Sequence, residues 1–219
     1  MPERALVEKR PWLLASLAAG ISFFFVMKSP ALPGLLLLAW KGAGVALLAL
    51  YALLRHKGRD SRMIAGVMAL GALGDVTLEI SLEVGAGFFL LGHALAIVLY
   101  LSHRREVPTI SQRLAALSLL IVTPVIAWLL PADRGQAWII ACYAIGLGGM
   151  ACAAWSSSFP RYRVGIGAVM FVASDLLIFS RLGPLAHSPV PDLLIWPLYY
   201  FGQFLICTGV VGELRRRET

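Results

Sequence analysis

The chain has 219 residues, of which 59% are apolar and 14% charged, and it carries a net charge of +7. A soluble domain of this length is charged at about a quarter of its residues, so a surface facing water throughout is excluded. The basic residues sit in short gaps between apolar runs, without the aromatic-interleaved basic face of a nucleic-acid binder, and no nucleic-acid partner is expected.

Eight apolar segments follow one another, at 12–27, 35–54, 62–80, 85–102, 113–130, 136–155, 162–180 and 193–213. Arg4, Lys9 and Arg10 precede the first, and Ser29-Pro30-Ala31 follows it, a pattern resembling a signal peptide. Prolines in and after that site oppose cleavage, and the segment is read as the first helix. Most segments are long enough to cross a hydrocarbon core of about 30 Å. Inside lipid the backbone must satisfy its own hydrogen bonds, which makes them helices. The expected fold is all-α, a polytopic transmembrane bundle of eight helices forming a single domain over residues 1–219.

The gaps alternate in charge. Arg4, Lys9, Arg10, Arg55, Lys57, Arg59, Arg62, Arg104, Arg105, Arg113, Arg161, Arg163 and Arg215 to Arg217 fall on one side, and only Lys28, Arg134 and Arg181 on the other. This positive-inside bias places both termini in the cytoplasm and fits a bacterial inner membrane. Gly74-Asp75 and Gly92-His93 in segments three and four are echoed four segments later by Ser174-Asp175 and Gly202-Gln203. The echo suggests a parallel four-plus-four repeat.

Ionisable groups within hydrocarbon cost about 2.5–3.5 kcal/mol each, so each one needs a reason. Lys41, Asp75, Glu79, His93 and Asp175 are the ionisable groups, joined by Tyr143, Tyr199, Tyr200 and Gln203. Counted along their segments at about 1.5 Å per residue, Lys41, Asp75, His93, Asp175, Tyr143, Tyr199 and Gln203 fall in one layer roughly 7–15 Å below the outer surface, whereas Glu79 lies near the interface. Gly71, Asp75 and Glu79 share a stripe at helical spacing, as do Gly167, Phe171 and Asp175, and Tyr199 and Gln203. A polar cavity in the outer half is one reading. The other makes Lys41 and Asp75 a buried ion pair that fixes packing, Glu79 a solvated interfacial residue and His93 a hydrogen-bonded core histidine. Cys142, Cys152 and Cys207 lie in apolar runs without metal-ligand spacing, and no metal or cofactor is expected.

The ordered set of Lys41, Gly74-Asp75, Phe88-x3-Gly92-His93, Gly167-Ala168-x2-Phe171-x2-Ser174-Asp175 and Tyr199-Tyr200-x2-Gln203 resembles the lysoplasmalogenase (YhhN-like) family of multispan membrane proteins. The resemblance runs from segment two to segment eight. It departs from the family where Gly42-Ala43-Gly44 replaces a proline after the lysine, and where Ala96 stands in place of a tyrosine. The resemblance implies hydrolysis of the vinyl ether bond of a lysophospholipid, giving a fatty aldehyde and glycerophospho-ethanolamine or -choline without a metal or organic cofactor. It also implies that Asp75 and Asp175 are the catalytic acids.

Such a reaction passes through an oxocarbenium ion, which glycoside hydrolases manage with one protonated and one ionised carboxyl. Lys41 can divide two aspartates into those roles. Asp175 is read as the acid, since its motif holds fewer cationic groups. Tyr199, Gln203 and His93 would orient water or the phosphoglycerol. Buried acids also serve proton relays, so a proton-coupled transporter of a lipid-like or amphipathic solute is the competing class. A zinc hydrolase would need three or four ligands, and one histidine at depth does not supply them.

Overall fold

The computed structural model describes residues 10–218; Arg4 and Lys9, assigned above to the cytoplasmic side, lie outside them. The described residues hold eight α-helices: α1 Arg10–Val26, α2 Gly34–Arg55, α3 Arg59–Thr77, α4 Leu82–Ser102, α5 Ile110–Leu129, α6 Arg134–Ser156, α7 Ile166–Ser180 and α8 Val190–Glu218. A π-helical turn, Arg161–Gly165, leads into α7. Six stretches are long and apolar enough to cross a membrane: α2, α4, α5, α6, α7 with its π turn, and α8. α1 is apolar but shorter, at 17 residues. α3 carries Arg59, Asp60, Arg62 and Asp75. The chain is an all-helical, multi-pass integral membrane protein.

Its exterior fits that solvent. Leu14, Phe25, Leu35, Leu91, Leu117, Ile121, Ile139 and Ile145 are exposed, whereas Ser16, Ser61, Asp75, His93, Ser174, Asp175 and Gln203 are buried. Polar groups turn inward because hydrocarbon offers them no hydrogen bond.

The chain divides into two compact units, residues 10–95 with 210–218, and residues 96–209. In the first, α1 is fastened to α2 where Ser16 Oγ donates to the Gly44 carbonyl at 2.6 Å and Trp40 Nε1 donates to Ser22 Oγ at 3.1 Å. α2 meets α3 across Gly42, where a Cβ would stand 2.8 Å from Val76. α3 meets α4 across Gly74, where a Cβ would stand 2.8 Å from the Phe89 ring. Val45, Leu48, Ile64 and Met68 fill the space between α2 and α3 without exposure. At the end of this unit His56 is held between Ser61 Oγ (2.7 Å) and Glu218 (2.8 Å).

In the second unit, local signals start two helices. Thr109 and Gln112 form a reciprocal capping box at α5, and Asp133 accepts the Gly135 N–H at 2.8 Å to begin α6. α5 and α6 close at Gly148, where a Cβ would stand 2.7 Å from the Leu119 carbonyl. α7 and α8 close at Gly167 and Gly202: a Cβ on either would stand 2.7 or 2.8 Å from the other's carbonyl oxygen. Without a hydrophobic force between helices in lipid, this backbone approach supplies van der Waals attraction instead. Gly167 therefore serves close packing of α7 on α8.

The ends of α3 and α8 depart from the apolar pattern. α3 stops at Thr77, not near residue 80. Thr77 bends back to the Leu73 carbonyl (2.7 Å), and the N–H groups of Leu78, Ile80 and Ser81 close a turn on Gly74 and Thr77. Gly85 allows α4 to pack on that turn, since a Cβ there would stand 2.6 Å from Leu78 Cα. α8 extends beyond its apolar stretch at both ends and runs through Pro197 to Glu218. Its last turn is polar, with Arg216 and Arg217 bound to Glu213 at 2.9 and 3.0 Å.

Gly167→Ala should cost about 1–3 kcal/mol, the usual toll of overpacking, and lower the melting temperature in detergent by about 2–12 °C. Gly87→Ala is the control, because nothing lies within 4 Å of a Cβ there, and it should leave the melting temperature unchanged.

Candidate functional site

The polar residues of the first unit come from α2, α3 and α4. Asp75 is 2% exposed, in the last turn of α3, and His93 is buried on α4. Lys41 on α2 reaches Glu79 with Nζ 2.6 Å from Oε1. The lysine side chain is 14% exposed and the glutamate 54%. An ion pair between α2 and the α3 region exists as anticipated, but its acid is Glu79. Glu79 is also not part of the Asp75 stripe, because α3 has ended two residues before it and the turn carries its side chain outward. Glu79 is the more exposed member of the pair, with Lys41 as its partner.

The second unit supplies Tyr143 from α6, Asp175 from α7, and Tyr199, Tyr200 and Gln203 from α8. Asp175 is 6% exposed. Tyr143 Oη donates to Asp175 Oδ2 at 2.8 Å, a direct link from α6 to α7. Phe179, one turn along α7, meets the Tyr143 ring edge-on with centroids 5.9 Å apart. Phe171 is likewise edge-on to Tyr199, at 5.2 Å. Trp196 lies 5.7 Å from Tyr199 and is stacked on Tyr200 at 6.0 Å, the planes 16° apart. Ser174, beside Asp175, donates to the Ile195 carbonyl of α8 at 3.0 Å. Gln203 is buried one turn beyond Tyr199.

Phe179 and Trp196 position these groups and were not singled out from sequence. Each is an aromatic among many in an apolar run, and only helical spacing offers a signal: Phe179 lies four after Asp175, and Trp196 three and four before Tyr199 and Tyr200.

The arrangement suits proton chemistry in a dry environment. A carboxyl held at one oxygen by a phenol is fixed in direction, and burial strengthens every electrostatic contact it makes. Among the described residues no three His, Cys, Asp or Glu side chains gather as a metal site would require.

The sequence pattern of the YhhN family matches residues 36–210, which spans Lys41 through Gln203. The chain belongs to the YhhN family. Two relatives, each named lysoplasmalogenase, from Mycobacterium bovis and Mycobacterium tuberculosis, are 29% identical to it over 180 residues, covering 78% of this chain and 69% of theirs. No solved structure gives a significant match. For this YhhN protein the matched region holds every candidate site residue, together with the glycines that close α2 on α3 and α7 on α8.

In the Lys41–Glu79 pair the glutamate is half exposed, and an exposed pair of this kind is worth about 0–1 kcal/mol. Glu79→Gln should therefore shift the melting temperature by less than about 4 °C and leave the protein folded in detergent.

Proposed function

We propose that this protein hydrolyses the vinyl ether bond of lysoplasmalogen-type lysophospholipids, with Asp75 and Asp175 as its acid/base pair and no metal, in a bacterial inner membrane and as a single functional domain. The burial of both carboxyls in helices of a membrane protein, one fixed by Tyr143, is the observation that carries the reading. The two mycobacterial relatives supply the substrate class.

In the proposed cycle Asp175 is neutral. Its Oδ2, as the carbonyl oxygen, accepts from Tyr143, and the other oxygen carries the proton. That proton passes to the alkenyl carbon remote from the ether oxygen, leaving an oxocarbenium ion. Asp75, as carboxylate, takes a proton from water while the water oxygen bonds to the cationic carbon, forming a hemiacetal. The hemiacetal collapses when Asp75 returns its proton to the departing glycerol oxygen and Asp175 recovers one from the hemiacetal hydroxyl. The products are a fatty aldehyde and the glycerophospho-alcohol, and both carboxyls regain their starting states. Lys41, His93, Tyr199, Tyr200 and Gln203 are assigned to substrate and water orientation, and Glu79 supports Lys41.

Purified protein given lysoplasmalogen should release aldehyde, and a metal chelator should leave the rate unchanged. Asp75→Asn and Asp175→Asn keep shape but remove acid/base capacity, and each should lower kcat by about 10²–10⁴-fold with the fold intact by circular dichroism. Retained turnover in either variant removes that residue from the chemistry. Tyr143→Phe removes one hydrogen bond, worth about 0.5–1.5 kcal/mol, and should lower kcat by up to about tenfold with little change in KM.

A further inference from the structure

Within the second unit the α4–α5 and α6–α7 gaps are tied together by backbone. Arg104 and Ser157 form an antiparallel bridge, Arg105 N donates to the Ser156 carbonyl at 3.1 Å, and Ser158 N donates to the His103 carbonyl at 2.7 Å. Phe159 is buried against Tyr100 and His103, with ring centroids 6.2 and 5.0 Å away. Four arginines come with these gaps: Arg104, Arg105, Arg161 and Arg163. None of them makes an ion pair among the described residues. Glu106, the acid in these gaps, is exposed.

Arg105 and Arg161 flank one short stretch at the end of α6. Arg105 Nη2 donates to the Ser157 carbonyl at 3.3 Å, and the Arg161 guanidinium stands 5.9 Å from the Trp155 ring centre. Around that stretch three N–H donors are shut off from solvent without an acceptor: Arg105 Nε, Trp155 Nε1 and Arg161 Nε. Leaving a buried donor unsatisfied is costly, more so for a charged group. A topological preference for positive charge accounts for arginines in these gaps but not for burying their donors unpaired. A group with several anionic oxygens answers both features. Val107, Ile110 and Tyr162, all exposed, border the arginines, and these side chains suit acyl chains better than water.

We propose that Arg105, Trp155 and Arg161, with Arg104 and Arg163 beside them, bind the phosphate of an anionic phospholipid at the membrane surface. Basic pockets at helix ends bind lipid headgroups in this way. The site stands apart from the hydrolytic reading and does not depend on it.

Delipidated full-length protein in detergent would be titrated with phosphatidylglycerol, phosphatidylcholine and inorganic phosphate, and bound lipid read by native mass spectrometry. Phosphatidylglycerol should bind at least about tenfold more tightly than phosphatidylcholine, and Arg105→Gln with Arg161→Gln should abolish that preference. Arg161→Gln alone should reduce it and serves if the double variant fails to fold. Equal binding of the two lipids by the unaltered protein, or an undiminished preference in a folded variant, overturns the proposal. Displacement of the lipid by millimolar inorganic phosphate overturns the lipid assignment in favour of a free anion.

Discussion

Hydrocarbon solvates no hydrogen bond, and that constraint orders this molecule. A carboxyl on a transmembrane helix must be answered by another side chain or avoided altogether. Tyr143 answers Asp175 at 2.8 Å. The same rule governs neutral groups: Ser16 and Ser174 each spend their hydroxyl on a carbonyl of the neighbouring helix. Such bonds are directional, so they fix helix rotation where apolar contact with lipid would permit many orientations.

Close approach is the second ingredient. Gly42, Gly148, Gly167 and Gly202 stand where a single added carbon would meet a neighbouring helix. In water, burial of large side chains would drive such packing, but lipid removes that incentive. Small residues and short polar links take its place, and they coincide with the segments bearing Lys41 and Asp175.

The two kinds of cation show how depth changes chemistry. Lys41 keeps most of its side chain buried and delivers its charge to Glu79, a residue open to the exterior. Arg105 and Arg161 lie at helix ends, yet part of each guanidinium is buried without an acceptor. A lysine can swing a point charge toward a partner, whereas a planar guanidinium with fixed donors needs its acceptors brought to it.

Helix number, membrane character and the burial of Asp75 and Asp175 within helices were legible in the sequence, because both the solvent and the cost of burying charge act on residue type alone. Helix ends were less so. Hydropathy does not register that α3 ends at Thr77 in a turn that holds Glu79, nor that α8 continues through Arg215 to Arg217, where Arg216 and Arg217 pair with Glu213. Pairing was not legible at all. The sequence offered Asp75 as the acid for Lys41, and the end of α3 gives it Glu79, four residues on. Tyr143 and Asp175 lie 32 residues apart on different helices, and their bond depends on how α6 and α7 are rotated. Composition fixes what must be buried, but rotation and helix termination arise from contacts between distant segments, and these exist only in the folded chain.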